Sequence, residues 1–265
     1  ERMRLQKAFG YTYEEYRSSI GKMALNGVEA TASMGIDTPL AVLSHEHQPL
    51  FNYFKQLFAQ VTNPPIDCIR EEIVTSTSVY VGRDGNLLEE EPKNCQVLKI
   101  NNPILTNTDM LKIKNMKVEG FKAVTVPITY YKSAPLDRAM DRLFVEVDRA
   151  HRAGANILIL SDRGVDENHV AIPSLLAVSA VHQHLVKTKK RTSLAIILES
   201  GEPREVHHFA TLLGYGACAI NPYLALDTIH ELIEEGMIKK DYYAAVEDYN
   251  HAVISGIVKI AADRK

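Results

Sequence analysis

Apolar and polar positions follow two different patterns on either side of about residue 117. From Phe121 onward, short and nearly continuous apolar runs alternate with longer stretches in which apolar residues recur every three or four positions. The short runs are typical of parallel strands that are covered on both faces, and the longer stretches are typical of amphipathic helices. Four such strand–helix units follow one another, which predicts an α/β fold with a parallel sheet and right-handed crossovers.

The predicted elements of this second part have definite bounds. We expect strands at 121–128, 156–161, 194–198 and 218–220, and helices at 134–152, 173–186, 204–213, 222–235 and 241–262. The first of these helices should bury Leu136, Met140, Leu143, Val147 and Ala150. A closed eight-fold barrel needs roughly 200 residues or more of βα units, and this pattern covers only about 140. The sheet is therefore expected to be partial and barrel-like.

Residues 1–117 lack this alternation, so we expect an irregular, helix-rich part there and a βα-repeat part at 118–265, within one domain over 1–265. Thr12 and Glu15 are spaced as a capping box, which predicts a helix that ends near Gly27. A second helix should begin near Pro49 and end at Asn63, because a residue before proline disfavours the helical conformation. Its expected buried face is Leu50, Phe54, Leu57, Phe58 and Val61. Further on, 95–100 reads as a strand, and Thr106 or Asn107 as the cap of another helix.

Composition narrows the class of protein. A hydrophobic content of 46%, a charged content of 24% and a net charge of −3 are ordinary for a globular protein and favour neither nucleic acid nor an anionic membrane. The cysteines, Cys68, Cys95 and Cys218, are too far apart for a metal motif, and their low number favours a cytoplasmic location. The chain begins at Glu1 and ends at Lys265 without a helix cap, so we expect it to be cut from a longer protein.

Candidate chemistry lies after the predicted strands, because βα folds bind ligands beyond the carboxyl ends of their strands. Lys132, Asp162 and Glu199 follow three strands and could form an acid–base set, although Asp162 next to Arg163 also reads as a local ion pair. The loops that could hold a phosphate contain Gly201, but Glu199 and Glu202 would repel the anion. Pro222 also lacks an N–H that such a site would use. The sequence therefore predicts a degenerate phosphate site.

Histidines and motifs add no further site. His45 and His47, His182 and His184, and His207 and His208 are one or two positions apart, whereas two ligands on one helix face need three or four. No nucleophile-elbow, Walker or dinucleotide-binding glycine motif is present in the sequence. We therefore predict no metal site and no catalytic residues.

Several long stretches carry a resemblance to a known family. They are "MGIDTPLAVLS" (34–44), "LFNYFKQLFAQVTNPPIDCIREEIV" (50–74), "PILTNTD" (103–109), "LILSDR" (158–163), "AIPSLLAVSAVHQHL" (171–185) and "ESGEPREVHHFATLLGYGACAINPYLAL" (199–226). Together they resemble the central domain of the glutamate synthase large (alpha) subunit. Cys68 stands where that family usually has proline, and Cys218 where aspartate is common.

The resemblance implies a role and a set of partners. In glutamate synthases an amidotransferase domain hydrolyses glutamine, and a domain with FMN and an iron–sulfur cluster reductively aminates 2-oxoglutarate to glutamate. The central domain joins these two domains of the same polypeptide and looks like a rudimentary, flavin-free copy of the FMN-binding barrel. The resemblance thus implies a structural domain without cofactor, metal or catalytic residue, in an oxidoreductase whose electron donor this part does not reveal.

The segment around the two prolines is the candidate inter-domain contact. Pro64 and Pro65 should stiffen an extended crossing, and an exposed polar set suits a domain surface: Asn63, Asp67, Arg70 and Glu71. A rigid turn with solvated charges is the other interpretation. Two other functions also stay open: a stand-alone barrel-like enzyme that uses Lys132, Asp162 and Glu199, and a regulatory module that binds a small ligand.

Overall fold

The computed structural model of the 265-residue chain describes residues 1–31, 43, 45, 48–55, 67–86 and 88–263. The helices are α1 (Arg2–Ala8), α2 (Gly21–Asn26), α3 (Cys68–Val74), α4 (Asn107–Lys114), α5 (Leu136–Arg152), α6 (Ser174–Lys187), α7 (Val206–Gly214), α8 (Tyr223–Glu234) and α9 (Tyr242–Asp263). The strands are β1 (Val79–Gly82), β2 (Val97–Ile100), β3 (Ala123–Pro127), β4 (Thr129–Tyr131), β5 (Ile157–Ser161), β6 (His169–Ala171), β7 (Ala195–Glu199) and β8 (Ala219–Asn221). No helix among these residues combines the length and the apolar character that a membrane crossing requires.

The chain divides into two compact units. One consists of Glu1–Thr77, Pro203–Thr211 and Leu224–Lys265, and the other of Ser78–Glu202 and Leu212–Tyr223. All of the strands among the described residues belong to the second unit, and the first contains α1, α2, α3 and α9.

A four-stranded parallel sheet forms the centre of the second unit. Its strand order is β3-β5-β7-β8, and Ile104 extends the β8 edge by an isolated parallel bridge to Ile220. Every residue of β5 and β7 is buried, which explains why these strands read as continuous apolar runs. Within the described residues the sheet does not close into a barrel. The predicted α/β class with a partial parallel sheet is confirmed.

One face of this sheet is covered by the hairpin β1–β2 and by α4. The core there consists of Val81, Leu105, Met110, Ile113, Ile157, Ile159, Ala195, Ile197 and Ala219, so alternate residues of the strands point toward the covering elements. The predicted strand at 95–100 is confirmed as β2, although Cys95 lies in a preceding 3-10 turn. Thr106 caps α4 through a reciprocal capping box with Asp109, as one of the two predicted caps.

Helix α5 matches its prediction with two exceptions. Leu143, Val147 and Ala150 are buried at helical spacing, and Gly154 leaves the helix with φ +83°. Met140, which was predicted to be buried, is only half-buried, and Leu136, also predicted to be buried, keeps 37% of its surface exposed. Because helical side chains lean toward the N-terminus, this first residue of the helix extends beyond its start.

The first unit packs α2 against α9. Thr12 and Glu15 exchange the predicted capping bonds, and a π-helical segment, Glu15–Ile20, leads into α2, which ends at Gly27 with φ +67°. The prediction of a second long helix after Pro49 is wrong where it can be checked. Only a single 3-10 turn, Leu50–Tyr53, follows the proline, and Phe54 is already extended. Phe51 is buried in place of Leu50, while Leu57, Phe58, Val61 and Asn63 lie outside the described residues.

Candidate functional site

The carboxyl ends of the parallel strands bring two of the three candidate acid–base residues, Asp162 and Glu199, together. The register aligns Pro127 of β3 with Ser161 of β5, Ser161 with Glu199 of β7, and Glu199 with Asn221 of β8. Asp162 follows Ser161 directly, and its backbone N–H donates to the Glu199 carbonyl oxygen at 3.2 Å. The predicted neighbourhood of Asp162 and Glu199 is therefore observed.

Glu199 is buried and fully occupied by internal donors. Lys114 Nζ lies 2.8 and 2.7 Å from its two carboxylate oxygens, Arg163 Nε donates at 2.9 Å, and the Ser161 hydroxyl donates at 2.6 Å. Burial alone would raise the pKa of Glu199, but the bonds from Lys114, Ser161 and Arg163 outweigh it and hold this pKa below its ordinary value. The carboxylate is thus an ionised structural anchor, and it is a poor proton acceptor.

Asp162 has only neutral partners. Ser200 donates its hydroxyl to the carboxylate, the Gly201 N–H lies 3.1 Å from both oxygens, and the Tyr223 hydroxyl also donates to it. Burial dominates these bonds and raises the pKa of Asp162 to about 7. Such a group could exchange a proton near neutral pH, but it is 1% exposed and every partner belongs to the protein.

Lys132 does not join this set. Its ammonium donates to the carbonyl oxygen of Glu167 at 2.8 Å, after the short strand β4, and the cations at Glu199 are Lys114 and Arg163 instead. The proposed ion pair between Asp162 and Arg163 is also wrong. Arg163 pairs with Glu199, and its guanidinium carbon lies 4.0 Å from the centre of the Tyr223 ring.

Lys114 could not be identified from the sequence as a partner of Glu199. It occupies the last turn of α4, far from Glu199 along the chain, and a basic residue at that position is equally well explained by the helix dipole. Only the packing of α4 on the sheet places its ammonium beside a strand end.

The predicted phosphate loops are filled by the protein's own groups. The Glu202 carboxylate accepts the backbone N–H of Ser174 at 2.7 Å, together with the Ser174 hydroxyl, at the start of α6. The Asn221 side chain donates to the carbonyl oxygen of Leu105 and to the Asn107 amide oxygen, both at 3.0 Å. The N-terminal N–H of α6 and the Asn221 side chain at the end of β8 are thus already hydrogen-bonded within the chain. These loops therefore do not fit a flavin phosphate.

A second buried polar cluster lies in the first unit around Arg204. Its guanidinium donates to Glu15 at 2.9 Å and to the carbonyl oxygens of Phe9 and Gly10, and its carbon stands 4.4 Å from the Tyr11 ring centre. The Tyr249 hydroxyl donates to the Arg204 carbonyl oxygen at 3.0 Å. The arginine thus ties the start of the chain to α9 within this unit. Sequence inspection missed it, because a buried arginine has no periodic signature.

Histidines do not gather into a metal site in the part of the chain that the structure describes, where no group of three or more His, Cys, Asp or Glu side chains could hold an ion. His208 is buried against Phe51, with ring centres 4.4 Å apart, and burial lowers its pKa well below the ordinary value. A neutral, packed ring explains its presence.

The candidate inter-domain contact is described in part. Asn63, Pro64 and Pro65 lie outside the described residues, while Asp67, Arg70 and Glu71 belong to α3 or cap it. The Asp67 carboxylate accepts the N–H groups of Ile69 and Arg70, both at 3.0 Å. Arg70 is exposed, and so are its helix neighbours Ile69 and Ile73, at 75% and 74%.

Comparison with known proteins identifies one family. The family described as "Glutamate synthase central domain" matches residues 4–263 of this chain. The NADPH glutamate synthase large chain of Bacillus subtilis is 47% identical over 96% of this chain and 17% of its own length. The NADH glutamate synthase of Schizosaccharomyces pombe is 42% identical over 96% of this chain and 12% of its own length.

A ferredoxin-dependent enzyme and a solved structure are also similar to this chain. Ferredoxin-dependent glutamate synthase 2 of Synechocystis is 39% identical over 96% of this chain and 17% of its own length. A solved flavocytochrome b2 variant with sulfite bound covers 60% of this chain and 35% of its own, at 16% identity and a TM-score of 0.36, which is too low to bear on the fold. The chain thus spans less than a fifth of the curated relatives it matches.

Proposed function

Since this chain belongs to the glutamate synthase central domain family, we propose that it is a structural, non-catalytic domain of a glutamate synthase. In this proposal residues 1–265 form one central domain, which joins the glutamine amidotransferase domain to the synthase domain that carries FMN and the iron–sulfur cluster. The parent enzyme, an oxidoreductase, would make glutamate from glutamine and 2-oxoglutarate. We place it in the cytoplasm, on the low cysteine content alone.

One observation carries this proposal. The similarity extends over 96% of the chain but over only 12% to 17% of the relatives' own length. A segment that matches so completely and yet forms so small a part of each relative is best explained as one domain of a much larger polypeptide.

The names of the relatives support the proposal that this domain does not determine which electron donor the enzyme uses. The similar proteins are named as NADPH, NADH and ferredoxin-dependent glutamate synthases, and their identities to this chain span only 39% to 47%. A domain that is shared by three kinds of electron donor is not expected to select among them.

The buried carboxylates support the absence of catalysis and of a flavin in this domain. Glu199 is held by two cations and a hydroxyl, and Asp162 is closed off by Ser200, Gly201 and Tyr223. A proton acceptor must reach its substrate, and neither group offers an exposed oxygen. Because Glu202 already occupies the start of α6, we assign no step to FMN in this chain.

The exposed face of α3 supports an inter-domain contact. Ile69 and Ile73 lie four residues apart, on one side of the helix, and Arg70 accompanies them. Apolar side chains with a neighbouring arginine are typical of the centre of a protein–protein interface. We assign this face, with Asn63, Pro64, Pro65, Asp67 and Glu71, to the contact with a neighbouring domain of the same polypeptide.

The test is an activity and flavin-binding assay of the chain beside its parent enzyme. Titration of the chain with FMN should leave flavin absorbance and fluorescence unchanged, while the parent enzyme retains bound flavin. The chain should also release no ammonia from glutamine. Stoichiometric FMN binding, or ammonia release that Asp162→Asn abolishes, would contradict the proposal and favour a stand-alone enzyme.

A further inference from the structure

A polar cavity of about 600 Å³ lies where the parallel strands begin, at the edge of the sheet opposite to Asp162 and Glu199. Three of its lining residues precede adjacent strands: Gly120 before β3, Asn156 before β5 and Ser193 before β7. Arg83, directly after β1, and the 3-10 turn Pro92–Cys95 complete the wall. The volume falls within the range of small-molecule sites in proteins.

Basic side chains line this cavity. Arg83, Lys93 and His151 line it, and none of the described residues that line it is acidic. Lys93 pairs with Glu91, which is itself partly exposed. Among the residues that the structure describes, neither the Arg83 guanidinium nor the His151 ring has a hydrogen-bond or ion-pair partner. A guanidinium in a concave wall without a counter-charge attracts anions, and an imidazole N–H can donate to them.

The neutral part of the wall is held in place by the backbone. The Asn94 amide donates to the carbonyl oxygens of Asn86 and Glu89, and the Gln96 amide donates to that of Glu119. Asn156 accepts the N–H of Lys122 and donates its own amide to a carbonyl oxygen. Side chains fixed in this way lose little conformational entropy when a ligand binds.

Two glycines allow the amides to stand this close to the chain. A Cβ atom on Gly120, which has φ +87°, would lie 2.0 Å from the Gln96 amide nitrogen. A Cβ atom on Gly85 would lie 2.2 Å from the Asn94 amide oxygen. Larger residues at either position would displace the amides that form the wall.

We propose that this cavity binds a small metabolite that carries an oxyanion, either a carboxylate or a phosphate. Arg83 and His151 would contact the anionic group, since a guanidinium and an imidazole N–H both donate to such oxygens. The amides of the wall would contact the uncharged part of the ligand. This site is separate from the carboxyl edge of the sheet and does not depend on the structural role proposed above.

The test uses pyrophosphate and citrate as probes, on both the 265-residue chain and the full-length parent enzyme. Hydrogen exchange read by mass spectrometry should show that either probe protects backbone amides in 83–96 and 151–156. Arg83→Ala combined with His151→Ala should raise the half-saturation concentration by at least about tenfold, because a hydrogen bond to a charged group is lost at each position. Added salt should weaken binding as well.

The matched control is Arg138→Ala, which removes an exposed arginine of the same unit that does not line the cavity. This variant should bind both probes as the unchanged protein does. Protection by pyrophosphate alone assigns the phosphate class, and protection by citrate alone assigns the carboxylate class. The proposal is overturned if neither probe protects these segments at about 10 mM, a concentration at which even millimolar affinity would be seen. Equal weakening by Arg138→Ala would also overturn it, because binding would then be nonspecific.

Discussion

Asp162 and Glu199 show how neighbouring buried carboxylates acquire opposite properties. Both are almost fully buried at adjacent strand ends, and burial favours the neutral form of each. Glu199 has the cations Lys114 and Arg163 within hydrogen-bond distance, and its pKa falls below the ordinary value. Asp162 has only hydroxyl and backbone donors, which do not offset burial, and its pKa rises to about 7. The presence of a neighbouring cation therefore decides whether the pKa of the buried carboxyl group falls or rises.

This difference predicts a specific pH dependence for Asp162→Asn. The folded protein holds the Asp162 proton up to about pH 7, whereas the unfolded chain loses it near the ordinary aspartate pKa of about 4. The folded state therefore binds more protons between these values, and Asp162 lowers the free energy of unfolding as pH rises from about 4 to 7. Asparagine cannot ionise. The free energy of unfolding of the variant should therefore rise, relative to that of the unchanged protein, by on the order of 2 kcal/mol or more as pH increases across this window.

The measurement is urea unfolding of both proteins at several pH values. The difference between their free energies of unfolding is plotted against pH. Asp166→Asn serves as the control, since Asp166 is exposed and the N–H of Asn168 together with the His169 ring holds its pKa below the usual range. Stability from that group is lost only as pH falls through its low folded pKa, and solvent screens its pairing with the His169 ring, so its difference should change far less from pH 5 to 7 than that of Asp162→Asn. A flat difference for Asp162→Asn would show that the buried carboxyl titrates normally.

The sequence located this cluster only in part. Asp162 and Glu199 could be placed together because parallel strands in register bring their carboxyl ends to one edge. Their partners could not be predicted in the same way. Whether Arg163 turns toward Asp162 or toward Glu199 depends on side-chain direction, and Lys114 arrives from a helix whose packing the local pattern does not specify.

At the scale of elements, the strength of the hydrophobic pattern decides what could be predicted. Strands β5 and β7 are buried on both faces and α5 buries one stripe, so each produces a clear period in the sequence. The stretch after Pro49 has many apolar residues but only a single 3-10 turn where it is described. Helical spacing over so few turns does not distinguish a helix from an extended chain, because tertiary packing sets the outcome.

Helix α9 gives a prediction about packing between elements of the first unit. A Cβ atom on Gly256 would lie 2.6 and 2.7 Å from the two γ-carbons of Val206. Valine has few rotamers and cannot turn away easily. Gly256→Ala gains about 1 kcal/mol of helix propensity, but overpacking costs about 1–3 kcal/mol, so the variant should be less stable by up to about 2 kcal/mol.

The control for this prediction is Gly214→Ala, at the exposed end of α7, where no atom lies within 4 Å of the added Cβ. This variant should be neutral or more stable by about 0.5–1 kcal/mol, since only the backbone term remains. Both values are obtained from thermal and urea unfolding. A stabilised Gly256→Ala variant would mean that α9 can move away from Val206 at little cost.

At the scale of the whole molecule, α3 distinguishes a local role from a role in assembly. Asp67 caps the helix through two backbone N–H groups, so its side chain has a purpose within the chain itself. Arg70, Ile69 and Ile73 are exposed, and within the described residues the Arg70 side chain has no hydrogen-bond or ion-pair partner. Exposed residues such as Arg70, Ile69 and Ile73 affect stability only when another surface covers them.

The last prediction compares these two kinds of residue in the chain and in the parent enzyme. Arg70→Ala should change the unfolding free energy of the chain by less than about 0.5 kcal/mol, and Asp67→Ala should cost it about 1 kcal/mol through the lost cap. In the parent enzyme, Arg70→Ala should weaken the contact between domains by roughly 2 kcal/mol, because a desolvated partner charge would be left unpaired. The loss is measured as a higher ratio of glutamine hydrolysis to glutamate formation, with ammonia released to solution. If Arg70→Ala instead lowers the melting temperature of the chain while this ratio stays normal, Arg70 supports the chain internally and the inter-domain assignment is wrong.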